Sequence, residues 1–439
     1  MYDLAIINGK VYFDNKYHKT NIYIKDGIIA NISPLLLKST DTYNCNGDLV
    51  LPGIIDPHTH FHLQLGKMYS RDDFLYGTKA AAFGGVTTII DFLEPVDNAI
   101  DLEHAFKKRV NQAKRSVIDY KFHACLKNPI GEVENITLKM KELGLNTVKV
   151  FTTYSDSNRR TYDKELKELL VLSNKQDFLV TAHIENDEMI SLEKNYTYRN
   201  LPESRPTISE VSEAMKIASY VRETKGNLYM VHLSSGKTLK RLKDKYSDIL
   251  NRYFTIESCP HYFVFNNKVI NRSDGYLYTM APPLRSEEEV QILRSMIDDV
   301  YTIGTDHCAF NKKDKNVSLL KNIPLGIGGV EESFSVMFSI FGTKIIDKMT
   351  LNVAKIHRLF PQKGIISEGS DADLFVYHLE KQNLKTNHGF ADYNVYYNFP
   401  VDGNVVSTIS RGKFIVKDGA FSNLKGQLLN KGGETDEGN

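Results

Sequence analysis

The stretch Leu51-Pro-Gly-Ile-Ile-Asp-Pro-His-Thr-His-Phe-His62 decides how the chain is read. It is a short apolar run, the pattern of a buried strand, that ends in a burst of imidazoles. Side chains alternate faces along a strand, so His58 and His60 point one way and Thr59 the other. Two imidazoles on one face can hold one divalent ion through their ring nitrogens. A single His-x-His is weak evidence, because such pairs more often mark a polar strand end. The weight comes from the rest of the chain, where a strand followed by a polar ligand recurs.

Eight strand candidates lie at residues 51–56, 87–92, 119–126, 147–152, 178–183, 228–233, 253–258 and 300–306. Helical periodicity fills most of the gaps, as at 72–83, 102–113, 136–143, 163–173, 209–224 and 287–298. Alternating units of this kind predict a parallel sheet, and eight of them over roughly 250 residues predict a closed (β/α)8 barrel. An open doubly wound sheet is the competitor, but no Gly-x-Gly-x-x-Gly follows the first strand. The run Ala80-Ala-Ala-Phe-Gly-Gly85 reads as a glycine-capped helix end instead of a phosphate loop.

Both ends of the chain have a different texture. Residues 1–50 and 366–425 are rich in β-branched and aromatic residues, with turn signals at Asn8-Gly9, Asp26-Gly27, Arg411-Gly412 and Asp418-Gly419. They are expected to pair into one small β-sandwich domain, leaving 51–365 as the barrel and 426–439 as a frayed polar tail.

In such a barrel the chemistry sits at the C-terminal strand ends. Read in order, those ends carry His58 and His60, Asp91, His123, Lys149, His183, His232 and Asp306. Four of these histidines, the lysine and one of the aspartates on a shared rim could hold two metal ions. Lys149 needs the most explanation, because an unpaired ammonium in an apolar strand is costly. Burial lowers its pKa and frees the amine. A free amine can form a Schiff base, or take up carbon dioxide to become a carbamate that bridges two cations. The histidines favour the carbamate. Asp91 is expected to orient a ligand or cap a loop, His123 to be core or rim, and Cys308 to be an inert buried thiol.

Composition excludes several classes. The chain of 439 residues balances 55 Lys and Arg against 54 Asp and Glu, so no net field attracts nucleic acid or an anionic membrane. Its four cysteines are scattered, which suggests a reducing cytoplasm. No signal peptide and no membrane-spanning run is expected.

As a set, several motifs resemble the cyclic amidohydrolases, and most closely the dihydropyrimidinase/hydantoinase branch. They are Pro52-Gly-Ile-Ile-Asp-Pro-His-Thr-His60, 72–88, Val148-Lys-Val-Phe151, His183-Ile-Glu-Asn186, Ser204-Arg-Pro206, Val231-His-Leu-Ser-Ser235, Ala281-Pro-Pro-Leu-Arg285, Gly304-Thr-Asp-His-Cys308 and Gly369-Ser-Asp-Ala-Asp-Leu374. The resemblance implies a binuclear centre, usually zinc. His58, His60 and Asp306 would hold one ion, His183 and His232 the other, and carboxylated Lys149 both. A bridging hydroxide would attack a ring amide carbonyl, Asp306 would shuttle the proton, and Tyr154 would stabilise the oxyanion. A homotetramer or homodimer is implied as well.

The chain also departs from that pattern. Leu325 stands where hydantoinases usually carry an asparagine that binds the ring. His62 replaces an acidic residue and sits where dihydroorotases place an arginine. Cys259-Pro-His-Tyr262 and Ala281-Pro-Pro283 look more like allantoinases. Substrate contacts are therefore expected from His62, Tyr154, Ala281, Leu325 and His261. A dihydropyrimidine or hydantoin is the leading substrate class, with allantoin or dihydroorotate next. Two other classes compete: an inactive assembly relative that has lost its ligands, and a Schiff-base lyase using Lys149.

Overall fold

Eight short parallel strands are laid side by side in chain order: Ile54–Thr59, Val86–Phe92, Asp119–Cys125, Thr147–Phe151, Leu179–His183, Leu228–Met230, Phe254–Ser258 and Thr302–Ile303. This computed structural model describes residues 1–66 and 68–429. A parallel bridge between Thr59 and His307 carries the last strand back toward the first. The result is a nearly closed barrel with helices around it, because each right-handed crossover returns its helix to the outer face.

The helices follow the apolar spacing. Phe74–Phe83 starts where the Asp73 carboxylate accepts from the amides of Leu75 and Tyr76 at 2.9 and 3.0 Å. It stops at Gly84 and Gly85, the latter at φ 84°, where a side chain is disfavoured. Ala99–Ala113, Val133–Glu142, Asp163–Gln176, Thr207–Thr224, Gly236–Tyr246 and Glu287–Ser295 follow the next six strands. Gly236–Tyr246 is not among the predicted helices. It is largely basic, and only Leu239, Leu242 and Tyr246 give its apolar stripe.

The first predicted strand divides in two. Leu49–Pro52 belongs to a separate, mostly antiparallel nine-stranded sheet, and only Ile54–Thr59 enters the barrel. Gly53 is the joint. A Cβ there would come within 2.3 Å of Thr87 Oγ1, so only glycine lets the chain pass this close to the second barrel strand. Leu49–Pro52 pairs parallel with Tyr2–Phe13 and antiparallel with Leu374–His378, which joins the two chain ends in one sheet. A buried ion cluster sits where that sheet meets the barrel. Lys363 Nζ lies 2.8, 2.8 and 2.7 Å from carboxylate oxygens of Asp119, Asp371 and Asp373. The expected fraying of 426–439 does not extend to 426–429. There the amides of Gln427 and Leu429 bond the Asp119 carboxylate and the Tyr120 carbonyl at 2.9 and 2.8 Å. Residues 430–439 lie outside the described residues.

The barrel interior is unusually polar. His123 is buried, with Nδ1 at 2.7 Å from Thr147 Oγ1 and Nε2 at 2.9 Å from the Pro57 carbonyl, so it is a core residue. The His357 ring packs 5.4 Å from it, and neither His357 nitrogen has a partner among the described residues. Burial, aided by His123 and Lys121, pulls the His357 pKa well below its ordinary value. Below about pH 6.5 the unfolded state therefore binds a proton that the folded state refuses, and stability is lost as pH falls. His357→Phe should lose about 2 kcal/mol less than the parent on going from pH 7 to pH 5. Urea unfolding at the two pH values measures this, and equal losses in both proteins would contradict it.

Candidate active site

Burial and strand direction bring the predicted ligands to one place. At the C-terminal strand ends lies a cavity of about 580 Å³, lined among others by His60, Lys149, Tyr154, His183, His232 and Asp306. His58, wholly buried, reaches the same point from deeper in the barrel. Its Nε2 stands 3.2 Å from Asp306 Oδ1, and His60 Nε2 stands 3.1 Å from the same oxygen. One donor atom each of His58, His60 and Asp306 fall within 4.8 Å of one another. His183 and His232 form the second group, with ring centroids 4.6 Å apart, and His58 lies 5.4 Å from His232.

Lys149 sits between the groups. Desolvation pulls its pKa down to about 8, while Asp306 opposes the shift. Its charge in turn helps to depress His58, His183 and His232, for which burial is the larger cause. Nζ lies 5.2 and 5.3 Å from the ring centres of Phe92 and Phe151. The Asp306 carboxyl goes the other way. Burial favours its neutral form, but His58 and His60 outweigh burial and hold it below the usual carboxylate range. Neutral imidazoles at His58, His183 and His232 beside an ionised Asp306 are protonation states that suit a divalent cation.

The residues pass a direct test for such an ion. His58 Nε2 and His232 Nδ1 are buried and have no hydrogen-bond partner among the described residues. The opposite nitrogens of His58 and of His183 are already engaged. His58 Nδ1 is 2.8 Å from Glu257 Oε1, and His183 Nε2 is 2.7 Å from Glu185 Oε2. Carboxylates in these positions fix the ring orientation and leave the other nitrogen to face a metal. Tyr154, His232 and Asp306 have φ of 70°, 40° and 51°. Left-handed backbone in residues with side chains is costly, and here it turns each side chain off its strand toward the cavity.

The substrate-contact expectations separate. Tyr154, Ala281 and Leu325 line the cavity. His62 is outside this lining and stacks on Tyr69 at 4.6 Å. His261 is buried against Tyr262, also outside the lining, and burial lowers its pKa to about 4. Asp91 caps a loop, accepting from the Phe61 and Phe92 amides at 2.9 and 2.7 Å and pairing with Arg109. Burial pushes the Cys308 thiol far up, which makes it inert.

Three supporting groups escape the sequence reading. Glu257 ends the seventh strand, Phe254–Ser258, and accepts from the His232 amide and the Tyr229 hydroxyl as well as facing His58. The signal was a carboxylate inside an apolar strand. Glu185 pairs with Arg205, whose guanidinium lies 4.8 Å from the Tyr154 ring centre, so one buried ion pair orients both His183 and Tyr154. Lys315 Nζ donates to the carbonyls of Thr279 and Gly326 at 2.7 and 2.5 Å and ties together the two loops that carry Ala281 and Leu325.

The sequence profile of the Amidohydrolase family matches residues 49–415. The chain belongs to the amidohydrolase family. A D-hydantoinase of Geobacillus stearothermophilus is 32% identical over 451 positions, covering 95% of this chain and 93% of its own. A D-phenylhydantoinase of Escherichia coli O9:H4 (strain HS) is 31% identical over 455 positions, covering 97% and 96%. Among solved structures, a D-hydantoinase (dihydropyrimidinase) from Thermus sp. matches with a TM-score of 0.92 at 28% identity, over 97% of this chain and 98% of its own. The dihydropyrimidinase of Brevibacillus agri gives 0.90 at 28% identity, over 98% of each chain. Within the amidohydrolases the chain thus falls in the hydantoinase and dihydropyrimidinase branch, and the (β/α)8 reading stands.

Glu257 gives a test of the ligand geometry. Glu257→Gln keeps the shape but removes the carboxyl group that faces His58 Nδ1. Metal affinity, read by competition with a chelator, should drop roughly 10–100-fold while the circular dichroism spectrum stays that of the parent. Unchanged affinity would remove Glu257 from the support of the site.

Proposed function

We propose that this amidohydrolase opens the ring amide of a hydantoin or dihydropyrimidine, using two divalent metal ions, zinc by preference. Hydrolysis of a cyclic amide and dependence on divalent metal follow from its family. The observation that carries the finer reading is the convergence of His58, His60 and Asp306 on one point, with Lys149 between them and the His183–His232 pair.

In this reading His58, His60 and Asp306 would hold one ion, His183 and His232 would hold the other, and Lys149, carboxylated on Nζ, would serve both. The buried amine, with its pKa lowered to about 8, supports that modification, since carbon dioxide adds to the neutral form. When bound, such ions lower the pKa of water from about 15.7 to about 7 and polarise the scissile carbonyl. The chain supplies the rest. Asp306, held ionised, accepts the proton of the attacking water and returns it to the ring nitrogen as the C–N bond breaks. Desolvation raises the Tyr154 pKa and keeps the phenol protonated, so it donates to the oxygen on which negative charge develops. Arg205 positions that ring. Leu325 offers no polar side chain, so the ring is read by main-chain groups near Ala281 and Leu325. Assembly as a homotetramer or homodimer and a cytoplasmic setting complete the reading. Four buried free cysteines support the setting.

Metal content measured together with turnover of dihydrouracil, hydantoin, allantoin and dihydroorotate tests this. Two ions per chain and one preferred ring are expected. Lys149→Ala should lose both ions, with short carboxylic acids restoring part of the activity, and a fully loaded, active Lys149→Ala protein would end the bridging role. Tyr154→Phe should lower kcat by roughly 10²–10³-fold with little change in KM. Loss confined to KM would make Tyr154 a binding residue only.

A further inference from the structure

Two arginines stand next to each other on the loop after the fourth barrel strand, and they have different fates. Arg160 pairs with Asp187 at 3.4 Å and lies over the Tyr162 ring. Arg159 lines the cavity, and its side chain has no hydrogen bond or ion pair among the described residues. The loop that carries it is pinned. The Arg159 amide bonds the Tyr154 carbonyl at 3.0 Å, and the Thr161 amide bonds the Phe151 carbonyl at 2.7 Å. Asp187 accepts from the Ser155 amide and hydroxyl and the Thr153 hydroxyl at 3.2, 2.5 and 3.0 Å. The loop backbone is tied on both sides of Arg159, so its side chain is anchored at the Cα.

The cavity has a second cation of this kind. Lys321 also lines it without an ion pair among the described residues. Its turn, Leu320–Asn322, is anchored by Leu320 and Ile323 packed with Leu201. The two carboxylates of the same lining are already engaged. Glu94 is paired with Lys108 at 2.7 Å, and Asp306 faces His58 and His60. Arg159 and Lys321 thus put two cations without an ion pair among the described residues on the cavity lining. A cavity of about 580 Å³ also has room for more than a five- or six-membered ring.

From this we infer that the ring amide which this enzyme opens carries an acidic substituent, whose carboxylate pairs with the Arg159 guanidinium and is assisted by Lys321. The inference rests on the hydrolase reading above and narrows its substrate class. A guanidinium suits the role because its planar fork meets both carboxylate oxygens at once, which an ammonium cannot do. Arg159 here is a specificity residue and takes no part in bond breaking.

The test compares hydantoin-5-propionate with its neutral isostere, hydantoin-5-propionamide, on the metal-loaded protein. The expected ratio of kcat/KM favours the acid by roughly 10–100-fold, mostly through KM, and shrinks as salt is raised. In Arg159→Gln the ratio should collapse toward one, Arg159→Lys should recover part of it, and Lys321→Gln should lower it less. Equal turnover of both compounds by the parent, or a preference that survives Arg159→Gln, would overturn the inference and leave the hydrolase reading intact. Turnover of neither would count against the hydrolase reading instead. In that event calorimetric binding of the two compounds to parent and Arg159→Gln protein still reads the contribution of Arg159, and equal affinities would overturn it.

Discussion

The rim of the barrel depends on how its last strand is held against its first. The eighth strand is only Thr302–Ile303, too short for a hydrogen-bond ladder to do this. The buried Asp56 carboxylate does it instead. Its Oδ1 accepts from the His58 and Thr305 amides, both at 3.1 Å, and Oδ2 accepts from Thr305 Oγ1 at 2.5 Å. Just beyond, the His60 amide bonds the His307 carbonyl at 2.9 Å. This seam sets two histidines of one strand opposite an aspartate of the other, and the φ of 51° at Asp306 turns that aspartate inward. A carboxylate that satisfies three donors in the interior is expensive to bury and more expensive to lose, which makes the seam rigid.

Around it, the sign of each titration follows from whether burial meets an answering charge. Three buried lysines show this. Lys363 faces three aspartates, which outweigh desolvation and raise its pKa. For Lys149 desolvation outweighs the opposing effects of Asp306, Cys125 and Glu257, and its pKa falls to about 8. Lys315, clamped by carbonyls, falls to about 7. The first holds two sheets together, and the last holds two loops. Only Lys149 opens onto the cavity, where a neutral amine has chemistry to do. Arg159 and Arg160 repeat the contrast at the surface of the same site, one answered by Asp187 and the other left for a ligand.

Most of the fold was legible because its signals are local. Apolar runs of five to seven residues ending in His, Lys or Asp are strands that finish at a polar rim, and the intervening helices keep the 3.6-residue spacing. The errors fall where a long-range contact overrides a local pattern. Leu51 looks continuous with Ile54, but the close pass of Gly53 over Thr87 breaks the strand and gives Leu49–Pro52 to the other sheet. The run 300–306 shrinks to Thr302–Ile303 because the chain beyond is held by side chains instead of a ladder. Gly236–Tyr246 was hidden by its lysines.

The amino-acid sequence by itself determined the barrel, the ligand set His58, His60, Lys149, His183, His232 and Asp306 as candidates, and the family. Strand period and ligand type are properties of short segments, and the motifs that carry the family are short segments too. Only the tertiary structure decided which partners tune those ligands: Glu257 on His58, Glu185 with Arg205 on His183 and Tyr154, and Asp56 at the seam. It also decided that Ala281 and Leu325 line the cavity while His62 and His261 do not, and that Arg159 faces it unpaired. Apart from the short reach of Glu185 to His183 and of Asp56 to the His58 amide, these depend on segments far apart in the chain. Distance, burial and charge balance between such segments have no period to betray them, and they exist only once the barrel has closed.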